Sequence, residues 1–542
     1  MAASAQTTGA QATGALPTVR RLVLYILFFT LVTVAAMGAS GLLALGMSPG
    51  ETAGTGRTSA LARAIAFLVI AGPLALLLWR TLSKRLLQPA ESAAPAWGLY
   101  LAAMYATALI TASTSSFSLL GTLAMGRTDG WGQDLAAALV WGGVWWWHQR
   151  IWRNARIAPR SLPNLPGILG SWYGLLVGAT AVAFALSVVF SAALGTFFHA
   201  PSIGSPWWKG MLAQLPWIAG GLAVWWWHWV RRGMGLVRGG FADVALVLVG
   251  VLAAGAATLG SAGYLLYTFG NAALRGPSLQ LLAPAPLALG TALAGSLVCS
   301  LAPAWFAGRL PGTLEAGRQV VSGLGLAAGA SGLGVCINAA LASLVPPLAG
   351  DNTRSLLLAG LIWLVLGAVT WWRAWRPGKP ADPRGRRVYL VAVFGISAVV
   401  ALIALLVAGF RFIEFLLEPD RLASGLLESV RAPIGLLTAT ALVSLYHFVV
   451  WRADRTVLET TETQADGALE SILLVAGGDA RPLRAALAKS TGARVRLLAR
   501  AGDEYQATEE ELAAAIASVD GAGPRIMLLI DGPGSVRAIE LE

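Results

Sequence analysis

Two cysteines, Cys299 and Cys336, are all that the 542-residue chain contains, and both fall inside apolar stretches. They exclude a disulfide framework and a cysteine metal-ligand spacing, and read as buried thiols that pack like small hydrophobes. Charge is scarce as well: Asp, Glu, Lys and Arg make up 12% of residues, against about 25% in soluble domains. Too little polar surface remains to cover a water-soluble body. Lysine is rarer still, with four residues against 35 arginines, a bias typical of GC-rich bacterial coding. The apolar runs carry almost no carboxylate at midplane depth, which counts against a proton-coupled pump. No nucleophile–base or carboxylate pair is apparent, so the expectation is a non-enzymatic protein with no metal and no cofactor.

What the chain does have is long apolar runs. Hydrophobic residues make up 56% and mean hydropathy is +0.67. Runs begin near residues 21, 60, 97, 133, 170, 211, 241, 282, 318, 353, 387 and 430. Each is about 20 residues or longer, enough to cross a bilayer core of roughly 30 Å. The expected fold is an all-α polytopic membrane bundle of about twelve transmembrane helices. The run after Arg20 and Arg21 is too long for a signal peptide and reads as an anchor. Residues 1–17, rich in Ala, Gly, Thr and Gln, read as a disordered cytosolic tail.

Net charge is +12, yet the basic residues sit in short loops between apolar runs, so membrane topology explains them better than nucleic acid. Alternate loops hold 22 basic residues and the intervening ones nine. By the positive-inside rule both termini lie in the cytoplasm, as suits a multi-pass protein of a bacterial cytoplasmic membrane, with the lipid bilayer as its first partner.

The spans repeat in pairs. The first helix of a unit opens with Tyr25, Tyr100, Tyr173, Phe241 or Tyr389, and the second ends in a Trp-rich turn followed by Arg. These ends read Leu78-Trp79-Arg80, Trp145-Trp146-Trp147-His148, Trp225-Trp226-Trp227-His228, Trp305-Phe306, Trp371-Trp372-Arg373 and Tyr446-His447-Phe448. Six divergent hairpin repeats follow. On these residues the chain resembles an uncharacterised family of bacterial membrane proteins, a domain of unknown function built of transmembrane helical hairpins. The resemblance runs over residues 18–455 and implies no activity.

Past Arg455 the composition turns polar. Residues 456–467 read as a linker or helix extension, and 468–542 as a small cytosolic α/β domain. Its strands are expected at 471–475, 495–499, 526–530 and 536–541, with helices over 481–490 and after a capping box of Thr508 and Glu511. Gly477-Gly478-Asp479 stands where a phosphate loop would, but lacks the GxGxxG and GxxxxGK[ST] patterns and reads as a plain βα turn. Asp479 and Asp531 read as loop acids without a metal site.

Candidate sites lie among the aromatics, the histidines and the polar residues of the spans. Trp147 and Trp227 belong to clusters that suit interfacial anchoring, or an aromatic-lined quinone site. His148, His228 and His447 share a place in their repeats. Facing histidines can ligate haem, but at helix ends water and headgroups also satisfy an imidazole. Thr111 and Ser115, in a span rich in hydroxyls, and Asn338, in a Gly-rich one, suit either a hydrated path or close packing. Arg411 and Glu414 are three apart and pair on one face. Pro73 and Pro216 are candidate helix breaks of the kind that build transporter sites. The expected function is a membrane scaffold or sensor whose cytosolic domain meets a protein partner. The alternatives are a transporter or channel, and a haem- or quinone-binding protein.

Overall fold

The computed structural model describes residues 3–47, 55–200, 206–344, 352–375, 383–417, 423–465, 471–477, 480–491, 493–499, 507–518, 525–532 and 535–541. Among them are twelve long helical segments. They are α1 (Ala3–Met47), α2 (Thr55–Leu86), α3 (Pro95–Ala124), α4 (Trp131–Arg153), α5 (Leu165–Phe197) and α6 (Trp207–Trp226, continued by a π turn, Trp227–Arg231). Then come α7 (Gly240–Arg275), α8 (Ala285–Phe306), α9 (Pro311–Ala342), α10 (Thr353–Trp375), α11 (Pro383–Leu417) and α12 (Ala423–Ala465). Ten of the twelve are long and apolar enough to cross a membrane. The exceptions are α4 and α6, where tryptophan, with its polar indole N–H, takes positions that leucine and valine fill elsewhere.

Helix runs past two of the expected domain edges. The helical trace begins at Ala3, inside the stretch read as a disordered tail. Of the two readings of 456–467, linker or helix extension, the helix of α12 continues as far as Ala465. Neither Pro73 nor Pro216 breaks its helix, since α2 and α6 run unbroken through them.

Consecutive helices pack as antiparallel hairpins: α1 with α2, α3 with α4, α5 with α6, α7 with α8 and α9 with α10. In α11 and α12, Phe394 and Phe448 meet with ring centroids 5.4 Å apart. Small residues set the closest of these contacts. Gly325, Gly329 and Gly332 of α9 lie directly against the backbone of α10 at Gly360 and Gly367. Close backbone approach takes the place of the hydrophobic drive that lipid does not supply. Ions tie the hairpin ends: Arg21 of α1 donates to Glu91 at 3.1 Å. Arg309, with a side chain 1% exposed, pairs with Asp243 at the start of α7, and Thr313 donates to the same carboxylate at 2.6 Å.

The C-terminal domain carries β1 (Ser471–Ala476), α13 (Arg481–Thr491), β2 (Arg494–Ala499), α14 (Glu509–Ala517), β3 (Arg525–Gly532) and β4 (Ser535–Glu540). The strand order is β2-β1-β3-β4, parallel across the first three and antiparallel at β4. Ile472 and Leu474 of β1 and Ile526, Leu528 and Ile530 of β3 are buried with Leu487 of α13 and Leu512 of α14. This is the period-2 alternation of a sheet with one buried face. The capping box is formed in both directions, Thr508 accepting from the Glu511 amide and Glu511 from the Thr508 amide. Asp531 lies within β3, not in a loop, and pairs with Arg537 at 3.7 Å. Gly478 and Asp479 lie outside the described residues.

Two outcomes follow. Gly367→Ala, whose new methyl would run into the backbone of Gly329, is expected to destabilise the bundle by about 1–3 kcal/mol. Gly142→Ala, where the methyl meets nothing within 4 Å, should not; SDS unfolding of the purified protein compares them. Thr508→Ala should speed amide exchange in the first turn of α14 by roughly the factor that a lost cap of about 1 kcal/mol gives, measured by hydrogen–deuterium exchange on the full chain.

Candidate functional site

The helix α3 has the largest buried share of the ten apolar spans, 61% of its central window. Pro95 fills its first turn, where a missing N–H costs nothing, and the Trp97 indole donates to the Ile157 carbonyl at 2.9 Å. Two tyrosines five residues apart on a helix point about 140° from one another. Tyr100 and Tyr105 therefore meet different neighbours. The Tyr100 hydroxyl lies 3.0 Å from His148 Nε2 on α4, and that of Tyr105 lies 2.7 Å from His228 Nε2 in the π turn ending α6.

The second imidazole nitrogen fixes the direction of each bond. His148 Nδ1 stands 2.8 Å from the Val144 carbonyl and His228 Nδ1 stands 2.7 Å from the Val224 carbonyl. A carbonyl only accepts, so Nδ1 carries the proton and Nε2 accepts from the tyrosine. His148 is fully buried and His228 is 1% exposed. Each ring is thus a neutral imidazole with both nitrogens committed inside the protein.

This corrects the view of histidines satisfied by water and headgroups at helix ends. Tyrosines from α3 do that work, with Trp147 packed on His148 and Trp145 on Tyr105. The shared place in the repeats does not give a shared partner either. Tyr173, the counterpart of Tyr100 in the third hairpin, bonds Ser113 of α3 at 2.7 Å, not His228. Gly170 makes room for His228: a Cβ there would stand 2.6 Å from Nε2. His447 is fully buried, with Nδ1 donating to the Val443 carbonyl at 2.8 Å.

The tryptophans divide between core and belt. Trp147 packs on Trp79 and Phe28, with centroids 5.1 and 6.5 Å away, and Trp145 packs on Tyr105 at 6.1 Å. Trp225 stacks on Trp229, which joins Trp172 and Trp305. Trp146, Trp226 and Trp227 face outward, at 52%, 48% and 38% exposure. Interfacial anchoring therefore suits Trp227 better than Trp147, which is half-buried and packs against the core of the first two hairpins.

The other sequence candidates lie apart from these pairs. The Thr111 hydroxyl donates to the Thr107 carbonyl at 2.9 Å, and Ser113, Thr114 and Ser116 bond carbonyls of the preceding turn in the same way. Ser115 is half-buried. Asn338 lies on α9 beside Gly435 of α12, its Oδ1 buried without a hydrogen-bond partner. Arg411 donates to Glu414 at 2.9 Å across one helix turn. Among the described residues no three His, Cys, Asp or Glu side chains gather in a metal-binding cluster.

Sequence reasoning missed Gln149. It is 6% exposed, and neither end of its amide has a partner. Its spacing from Trp145 and Trp152, four residues on and three back, puts it on the helix face that meets Tyr105. That spacing is visible in the sequence, but which helix covers the face is not.

Residues 21–129 match a family model described as a domain of unknown function (DUF5671). The matched stretch takes in α2, α3 and most of α1, with Tyr25, Tyr100 and Tyr105, and stops before the histidines that the last two engage. It is shorter than the 18–455 over which the aromatic pattern suggests a resemblance. No curated protein and no solved structure matches the chain.

Tyr105→Phe leaves His228 Nε2 buried without a donor and should cost about 1–3 kcal/mol. Thermal unfolding followed by tryptophan fluorescence checks it, with His228→Phe added on the same background. The second change should then cost less than it does alone, because the orphaned acceptor is gone.

Proposed function

We propose that the chain is a non-enzymatic membrane scaffold or sensor, with a rigid helical bundle and a C-terminal α/β domain that meets a protein partner in the cytosol. The observation that supports this reading most is the commitment of two buried histidines and of the hydroxyls of α3. His148 and His228 have both ring nitrogens bonded within the protein. The hydroxyls of Thr111, Ser113, Thr114 and Ser116 bond carbonyls of their own helix. Groups spent in this way hold helices together and leave little capacity to coordinate a passing solute or a haem iron. Two cavities, one between α1, α2 and α4 and one between α5, α7 and α8, are lined by neither Thr111, Ser115 nor Asn338. The 22-to-9 division of basic residues favours both termini in the cytoplasm of a bacterial cell, which gives the α/β domain access to soluble partners.

A transport reading has one observation in its favour, the unpartnered Oδ1 of Asn338 between α9 and α12. Ion flux separates the two. Proteoliposomes under a potassium gradient should conduct no more than empty liposomes. A conductance well above that level which falls with Asn338→Leu would make the bundle a pathway and sink the scaffold reading.

A further inference from the structure

A cavity of about 310 Å³ between α5, α7 and α8 is almost wholly apolar, whereas a second, of about 660 Å³, carries polar groups that lack partners. The larger one lies between α1, α2 and α4. Three helical stripes line it, each with the i, i+3/i+4 spacing of one helix face. Ser40, Gly41 and Ala44 come from α1, Ala60, Arg63 and Ala64 from α2, and Gln133 and Ala137 from α4. Small side chains on all three helices leave the space open. Trp141, 5% exposed, and Phe67 close it toward the interior.

Among the described residues Arg63 is the only charged side chain on the wall and makes no ion pair. Asp134, next to Gln133, accepts from Ser118 at 2.7 Å. The Ser40 hydroxyl is buried at the wall with no hydrogen-bond partner. Arg63, an exposed residue, thus has a guanidinium without a counter-charge among the described residues, and the Ser40 hydroxyl on the same wall is left unsatisfied. Together they define a missing acceptor of negative charge.

Depth narrows the chemistry. With its 32 residues, α2 is about 48 Å long at 1.5 Å per residue, so some 9 Å project on each side of a hydrocarbon core of about 30 Å. Arg63 stands eight residues from the start of α2, roughly 12 Å along its axis. That is the level where phospholipid phosphates meet acyl chains. Guanidinium suits phosphate through paired N–H donors, and the Gln133 amide on the same wall supplies a further donor. Met37, Leu45 and Phe67 offer an apolar wall to a chain. The volume falls in the range of about 300–1,000 Å³ typical of small-molecule sites, enough for a head and part of one chain, with the second chain left in the bilayer.

We infer that this cavity is a binding site for one anionic phospholipid, with its phosphate on Arg63, at the end of the first hairpin away from the Trp-rich turns. The site does not depend on the scaffold reading and would serve a transporter as well. Native mass spectrometry tests it on the full chain, released from micelles holding equal amounts of phosphatidylglycerol and phosphatidylcholine. The wild type should retain one phosphatidylglycerol with at least a tenfold preference. Arg63→Gln should bring that preference close to unity, and Ala44→Phe, which fills the cavity, should lower retention of both lipids. Arg127→Gln, an exposed change outside the cavity, should leave the preference intact. A wild type without preference, an Arg63→Gln variant that keeps it, or an equal loss in Arg127→Gln would overturn the assignment. Added oleate that displaces phosphatidylglycerol at equimolar concentration would also overturn it, in favour of a free fatty acid.

Discussion

Each of the imidazoles His148 and His228 is held at two points, by a carbonyl of its own helix and by a tyrosine of α3. Away from water, a polar group left without a partner costs far more than a satisfied one gains. The bundle must therefore bring α4 and the end of α6 to fixed positions against α3, because only there do both nitrogens find partners. Leucine contacts would not specify this, since lipid tails solvate apolar side chains as well as other helices do. Two hydrogen bonds to tyrosine, each buried, select one register among many of similar packing energy.

The surroundings of each pair follow from that clamp. Tyr100 stacks between Phe28 and Trp97, with centroids 5.1 and 5.4 Å away, which fixes its hydroxyl toward His148. Tyr105 is flanked by Trp145 and Trp152. Gly170 lets α5 pass close enough to shield His228. The π turn Trp227–Arg231 adds one residue to the local ring of the helix and coincides with His228. A helix that widens at the residue making its most buried polar contact has adjusted its backbone to the bond. In α9 and α10 the same need for fixed positions is met differently, by glycine backbones in direct contact.

Much of this architecture is legible in the sequence. Apolar runs of the length of a membrane give the helices, the short apolar run Ile472–Val475 gives a strand, and Thr508 with Glu511 gives the start of α14. The candidate site is less legible. Periodicity tells which residues share a helix face, but not which other helix meets that face. So His148 and His228 stand out by position, while Tyr105, five residues past the conspicuous Tyr100, gives no sign that it crosses to the next hairpin. The tryptophan triples fail for the same reason. Three successive residues on a helix sweep about 200°, so one triple serves core and belt at once, and composition cannot tell Trp147 from Trp146. The cavity at Arg63 is invisible for a further reason: alanine and glycine in a span mean close packing in one place and empty space in another, and only the paths of three helices decide which.

The two ends of the first hairpins solve the problem of polarity in opposite ways. At the Trp-rich end, tyrosine, histidine and backbone carbonyls satisfy one another and rings seal the cluster, so the polar groups there act as structure. At the other end, Arg63 and Ser40 line an open cavity and stay unpaired among the described residues. At the level of the phosphates an arginine can meet an anionic headgroup through paired N–H donors, which a leucine cannot. Membrane spans carry such residues where something outside the chain completes them. Helices held rigidly at one end and parted at the other make a frame in which a bound molecule supplies the missing charge, and its presence would be felt along α1, which touches both α2 and α4. The stiffness of the tyrosine–histidine end gives such a site a fixed geometry, since a cavity keeps its shape only where the helices that form it cannot slide.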